Sequence, residues 1–179
     1  MARWIKYIVF AAMVGSAYGV AWLKAYQLSA DYFDYAEQQY SQGHKIEALK
    51  GMNKLELRRE QVYRGGYQQV VEAWEGAMLG PKPAFYDKAK AQTALILTEL
   101  STNELLAYIE MYVELDMRYV PEAALQLRGL AAEQENRALY QEMDEFLREA
   151  FPVYYEQAVD YSSTSVNEQP QTASRSATL

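Results

Sequence analysis

A chain of 179 residues with a net charge of −7 and no cysteine sets aside several function classes at once. Without cysteine there is no disulfide, thiolate metal site, cysteine nucleophile or cysteine-linked lipid. No basic stripe offsets the acidic balance, so a nucleic-acid partner is not expected, and the length suits an N-terminal segment plus one domain of about 150 residues.

The N-terminal segment carries the strongest signal. From Tyr7 to Leu23, between Lys6 and Lys24, no residue is charged. About 17 residues at 1.5 Å each reach roughly 25 Å, slightly less than a hydrocarbon core of about 30 Å. Lys6 and Lys24 have stems long enough to snorkel, and Trp4, Trp22 and Tyr26 favour the membrane interface. Residues 1–28 are therefore expected to be a membrane anchor. A secretory signal peptide is the alternative, with Gly15-Ser16-Ala17 or Gly19-Val20-Ala21 as its cleavage point. Apolar character persists through Trp22 and Leu23, and no Pro or Gly follows until Gly43, which favours a retained anchor. Arg3 and Lys6 precede the span, whereas Asp31 and Asp34 follow Lys24. The positive-inside rule then puts the remainder on the non-cytoplasmic, periplasmic side. Ala11, Gly15 and Gly19 form a small-residue strip suited to close approach of a neighbouring helix, although such residues are common in spans by chance.

Residues 29–161 read as helical throughout, with no period-two alternation. The first helix is expected to leave the membrane and run to Gln42, with Tyr32, Ala36 and Tyr40 on one face and Gly43 as its end. A second is expected from Lys45 to Tyr63, burying Ile46, Leu49, Met52 and Leu55, until Gly65-Gly66 breaks it. Its Arg58-Arg59 pair, flanked by Glu56 and Glu60, reads as a solvated face. The third carries Tyr67, Val70, Val71, Trp74, Ala77 and Met78 at helical spacing, and Gly80-Pro81-Lys82-Pro83 stops it. A fourth, Ala84 to Leu100, buries Phe85, Ala89, Ile96 and Leu100. Ser101-Thr102-Asn103-Glu104 is a capping box opening a fifth helix that buries Leu105, Leu106, Ile109, Tyr112, Val113 and Met117. Pro121 opens the sixth, with Leu127, Leu130 and Ala131 inward. A turn near Asn136 leads to a seventh with Leu139, Met143, Phe146, Leu147 and Ala150 on one side, ended by Pro152. A short helix from Val153 to Tyr161 follows. The Ser/Thr/Gln-rich stretch 162–179 is expected to be a disordered tail.

The segment Tyr35-Ala36 … Tyr40 … Gly43 … Ala48-Leu49 … Met52 … Leu55, within 31–57, resembles one tetratricopeptide repeat. One period of about 34 residues further on, Val70 and Trp74 fall where Ala36 and Tyr40 stand. Leu130-Ala131 … Tyr140 … Met143 … Leu147 … Ala150 … Pro152 is a looser echo. Looser copies thus fall at 67–100 and 122–152. Ala77 replaces the turn glycine of the second copy, a Gly-Pro-Lys-Pro loop is inserted, and the fifth and sixth helices depart from the pattern. The resemblance implies an all-α, hairpin-built scaffold, either a solenoid or an antiparallel hairpin stack, that binds proteins and performs no catalysis.

Chemistry-bearing clusters are sparse. His44, the single histidine, sits in a predicted turn, and no zinc or di-iron set can be assembled around it. Glu110 and Glu114, with Asp116 nearby, read as an exposed helix face in preference to a carboxylate pair. The glycines lack the context of a phosphate loop, and no serine nucleophile motif occurs. No catalytic residue, metal or cofactor is expected. Tyrosine, at 16 against five phenylalanines, suits a wet-edged core or a binding groove. Tyr32, Tyr35, Tyr40, Tyr67 and Trp74 are the expected partner-binding residues. The resulting expectation is a single-pass, membrane-anchored adaptor or scaffold in a membrane-associated assembly, its partners the bilayer and membrane or envelope proteins. The alternative is an accessory subunit of a larger membrane complex, held through Ala11, Gly15 and Gly19.

Overall fold

The computed structural model describes residues 2–52, 62–77 and 80–158. Among them the fold is all-α, without a strand: α1 Ala2–Ser41, α2 Lys45–Lys50, α3 Tyr67–Glu75, α4 Ala84–Glu99, α5 Thr102–Leu115, α6 Val120–Glu133 and α7 Arg137–Ala150, then a helical stretch 152–158. The chain divides into two compact units, Met1–Leu100 and Ser101–Leu179, so the predicted domain 29–161 contributes to both. The predicted tail 162–179, Leu55, Arg58-Arg59, Met78 and the last residues of the helix after Pro152 lie outside the described residues.

In the first unit α1 is a single rod of 40 residues, about 60 Å long at 1.5 Å per residue. No proline interrupts it, and it stops where predicted. Gly43 adopts φ +84, which only glycine adopts without steric cost. Its N–H donates to the Tyr40 carbonyl (3.0 Å), and the His44 N–H donates to the Gln39 carbonyl (2.9 Å). These two bonds satisfy helix-end acceptors in a Schellman turn. The chain then reverses, and α2, α3 and α4 all pack on α1.

The second helix is shorter than predicted. It ends at Lys50 because Gly51, at φ +79, turns the chain back, and Gly65-Gly66 serves a different purpose from the expected break. A Cβ at Gly51 would lie 2.7 Å from the Arg64 carbonyl oxygen, and one at Gly66 would strike the Ala48 carbonyl. Gly51 and Gly66 thus allow two backbone segments to touch, joined by Met52 N–H to the Arg64 carbonyl at 2.9 Å. The third helix closes at Glu75, and Tyr67, Val70, Val71 and Trp74 are buried as its spacing predicts.

The second unit opens on the predicted capping box. Ser101 N–H donates to Glu104 Oε2 at 2.8 Å, and Glu104 N–H donates back to Ser101 Oγ at 3.4 Å. α5, α6 and α7 pack in sequence, each on the next, around Leu105, Ile109, Leu127, Ala131, Met143 and Leu147. Two inward assignments are corrected. Met117 is 58% exposed because α5 ends before it at Asp116, and Ala150 is exposed in the last turn of α7. Tyr108 takes the inner place instead, its hydroxyl donating to the Arg118 carbonyl at 3.0 Å. Pro121 stands in the first turn of α6, as expected, and Asn136 caps α7 by accepting from Leu139 N–H at 3.2 Å.

Candidate functional site

α1 has two halves of opposite character. From Trp4 to Ala21 every residue is exposed, including Ile5, Ile8, Val9, Phe10, Met13 and Val14. This helix is long and apolar enough to cross a membrane, with a mean hydropathy of 1.5 over its best 18-residue window and none of that window buried. Such a surface in water would cost roughly 25 cal/mol for each Å² left wet. Ala11, Gly15 and Gly19 lie in this half, and a Cβ at either glycine would meet nothing within 4 Å.

From Trp22 onward the same helix is gripped by its neighbours. Trp22 stacks on Tyr26 (5.5 Å between ring centroids) and meets Trp74 edge-on (5.7 Å). Tyr26 contacts Phe85 (5.4 Å), Phe85 stacks on Phe33 (5.4 Å), and Phe33 meets Tyr67 (5.8 Å). This chain of rings ties α1 to both α3 and α4. Each such pair adds about 0.5–1.5 kcal/mol beyond its buried area. Trp22 and Tyr26, predicted as interfacial anchors, therefore also belong to the packing seam.

Hydrogen bonds set the register of that seam. Trp74 Nε1 donates to Ser29 Oγ at 2.8 Å in the buried interior, and Ser29 donates to the Ala25 carbonyl at 2.7 Å. Tyr67 OH and Lys88 Nζ each donate to one oxygen of Glu37, both at 2.7 Å. Burial alone would lift the Glu37 pKa, but bonds from Lys88 and Tyr67 outweigh it and hold the carboxyl below its ordinary range. Burial first, and then Glu37, push the Tyr67 phenol upward. Tyr40 OH donates to Glu99 at 3.0 Å, and Lys45 Nζ donates to the Glu99 carbonyl at 2.8 Å.

The five predicted partner-binding residues thus fall into two groups. Tyr67 and Trp74 are core side chains, 0% and 2% exposed. Tyr32, Tyr35 and Tyr40 are half-buried on α1. Tyr32 meets the Tyr63 ring edge-on at 6.0 Å, and the Arg64 guanidinium lies 6.0 Å from the Tyr35 ring. Sequence reasoning misses Phe33, Glu37 and Lys88, while it expects Phe85 only as a buried residue of the fourth helix. A legible signal existed: Trp22, Tyr26, Ser29, Phe33, Ala36 and Tyr40 recur at alternating spacings of four and three, a helix stripe. The expected face shares Ala36 and Tyr40 with this stripe but takes Tyr32 where the seam holds Phe33.

The second unit holds an open groove of about 610 Å³ lined by Leu125, Arg128, Gly129, Tyr140, Tyr154 and Ala158 among others. Arg128 Nη1 donates to Asp144 Oδ1 at 2.7 Å, and its guanidinium lies 5.8 Å from the Tyr140 ring and 5.7 Å from that of Tyr155. Tyr155 OH also donates to Asp144, at 3.2 Å. The cation is thereby committed to its own fold. His44 is exposed and shares a 2.9 Å hydrogen bond with Gln39, and Glu110 and Glu114 are exposed. Among the described residues no group of His, Cys, Asp and Glu could hold a metal ion. Comparison with protein-family models, curated proteins and solved structures returned no match.

Proposed function

We propose that this chain is a single-pass membrane-anchored scaffold, whose helical body presents a half-buried tyrosine face to a partner protein of a membrane assembly. The continuity of α1 carries this reading. One uninterrupted helix is bare and apolar for its first half and clamped by three helices in its second. A linker would give a tethered domain reach; a rigid helix fixes its height and rotation above the bilayer. Fixed presentation is what a docking platform needs. Tyr32 and Tyr35, beside Arg64, offer the aromatic and cationic surface typical of interface anchors. The charges Arg3 and Lys6 before the span, against Asp31 and Asp34 after it, support a body on the non-cytoplasmic side. No catalytic role is assigned.

Two measurements test this. Native material should resist alkaline carbonate extraction; release into the soluble fraction would end the anchor reading. Tyr32→Ala with Tyr35→Ala, neither in the buried core, should abolish co-purification of a membrane-assembly partner in mild detergent while helicity is kept. If that variant retains its partner but Gly15→Leu with Gly19→Leu loses it, assembly runs through the span, and the chain is an accessory subunit held by its glycine strip.

A further inference from the structure

The α3–α4 connector comes back to the span itself. Gly80, at φ +87, is placed so that a Cβ there would lie 3.2 Å from the Tyr18 hydroxyl and 3.4 Å from Trp22 Nε1. Tyr18 is not at the end of the apolar stretch. Val20 and Leu23, 56% and 50% exposed, lie beyond it, and the five steps from Tyr18 to Leu23 rise about 7.5 Å. The uncharged stretch Tyr7 to Leu23 spans roughly 25 Å, already slightly less than a hydrocarbon core of about 30 Å. Seating that whole stretch in lipid carries Tyr18 below the boundary and draws the connector down with it. Lifting the connector clear would leave only about 18 Å of apolar helix immersed and would wet Val20 and Leu23.

We infer that Gly80–Lys82 is seated in the headgroup layer of the bilayer as a second lipid contact, with Lys82 facing the lipid phosphates. This rests on the anchor reading above. The composition suits the place. Pro81 has no amide N–H to leave unpaired in a poorly hydrated layer. Gly80, Pro81 and Lys82 are exposed. Lys82 Nζ stands 4.3 Å over the Tyr86 ring, which keeps its charge at the connector, and Lys24 on α1 is exposed as well. The occupant is lipid because the surface is continuous with the span through Tyr18 and Trp22.

The absence of cysteine makes the test direct. Single-cysteine full-length chains, Pro81→Cys, Lys82→Cys, Val9→Cys and Gln42→Cys, are labelled with an environment-sensitive fluorophore. They are then placed in nanodiscs of phosphatidylcholine and phosphatidylglycerol. Spin-labelled lipids should quench position 9 most strongly from the acyl chains, and positions 81 and 82 most strongly from the headgroup region. Aqueous iodide should quench position 42 several-fold more than position 81. Lipid quenching at position 9 but at neither 81 nor 82, in variants of unchanged helicity, overturns the connector proposal and leaves the span standing. No lipid quenching at any position overturns both.

Discussion

The two units bury their cores by different chemistry. In the first, buried rings with polar handles are tied to another helix: Trp74 is bonded to Ser29 and Tyr67 to Glu37. In the second, small and aliphatic residues line the central helix, with Val120, Ala123, Ala124, Leu127 and Ala131 buried along α6, and the buried ring of Tyr108 is bonded to the nearby Arg118 carbonyl, not to another helix. Apolar burial stabilises both, but it is indifferent to a small rotation or slide of a helix. Directional bonds are not. In the first unit they lie where α1, which carries the apolar stretch, meets its neighbours, and they fix how far that stretch projects and which way it faces.

The largest expected effects test that contrast. Trp74→Ala should destabilise the first unit by about 4 kcal/mol, the usual cost of emptying a buried aromatic site. Hydrogen exchange should then accelerate in α3 and in residues 22–41. Leu127→Ala should cost about 3 kcal/mol in the second unit, with faster exchange in α5, α6 and α7. The two differ in their conservative variants. Trp74→Phe keeps a ring but removes the donor to Ser29, and should still cost more than 1 kcal/mol, since a buried hydrogen bond contributes about that much. Leu127→Met preserves volume without losing any bond, and should cost less than about 1.5 kcal/mol. Equal losses for these two conservative changes would remove the distinction between the cores.

Glu37 sharpens the same comparison through pH. Its carboxyl titrates lower in the folded chain than in the unfolded one, so the folded state binds fewer protons in that range. The stability it contributes is fully present above the ordinary value of 4.5 and is lost as pH falls through the lower, folded value. Thermal melts between pH 6 and 3 should therefore show an acid limb that flattens in Glu37→Gln. The effect is modest because the Lys88 and Glu37 side chains are 53% and 34% exposed and partly screened by solvent. An unchanged acid limb in that variant would assign the loss to other carboxylates.

Much of the fold is legible in local signals. The Ser101 capping box, Pro121 at the head of α6, Asn136 before α7 and Gly43 after α1 each act through a few neighbouring backbone groups, so sequence alone exposes them. The bare apolar half of α1 is equally plain. What sequence reading misplaces depends on contacts made at a distance. Gly51 gives no sign that Arg64 and Gly66 will press against it, so α2 is read too long. Tyr67 and Trp74 look like interface anchors until Glu37 and Ser29 reach them across 30 and 45 residues. Lys88, a surface residue by type, completes the Glu37 clamp only once α4 lies on α1.

The smallest effect concerns two turns with one geometry and different residues. α6 ends as α1 does: Asn136 N–H donates to the Ala131 carbonyl at 2.9 Å and Glu135 N–H to the Ala132 carbonyl at 3.2 Å. Yet the left-handed position is Gly43 in one and Glu135, at φ 55, in the other. A side chain there costs about 1 kcal/mol, offset in part because glycine loses more freedom on folding. Nothing lies within 4 Å of a Cβ at Gly43, so Gly43→Ala should cost about 1 kcal/mol from backbone conformation alone. Glu135→Gly should stabilise the second unit by roughly 0.5 kcal/mol. Opposite signs in denaturant melts of the two variants would confirm that the turns are equivalent and only their residues differ. A destabilised Glu135→Gly would show instead that the glutamate side chain contributes more to its turn than the left-handed backbone takes away.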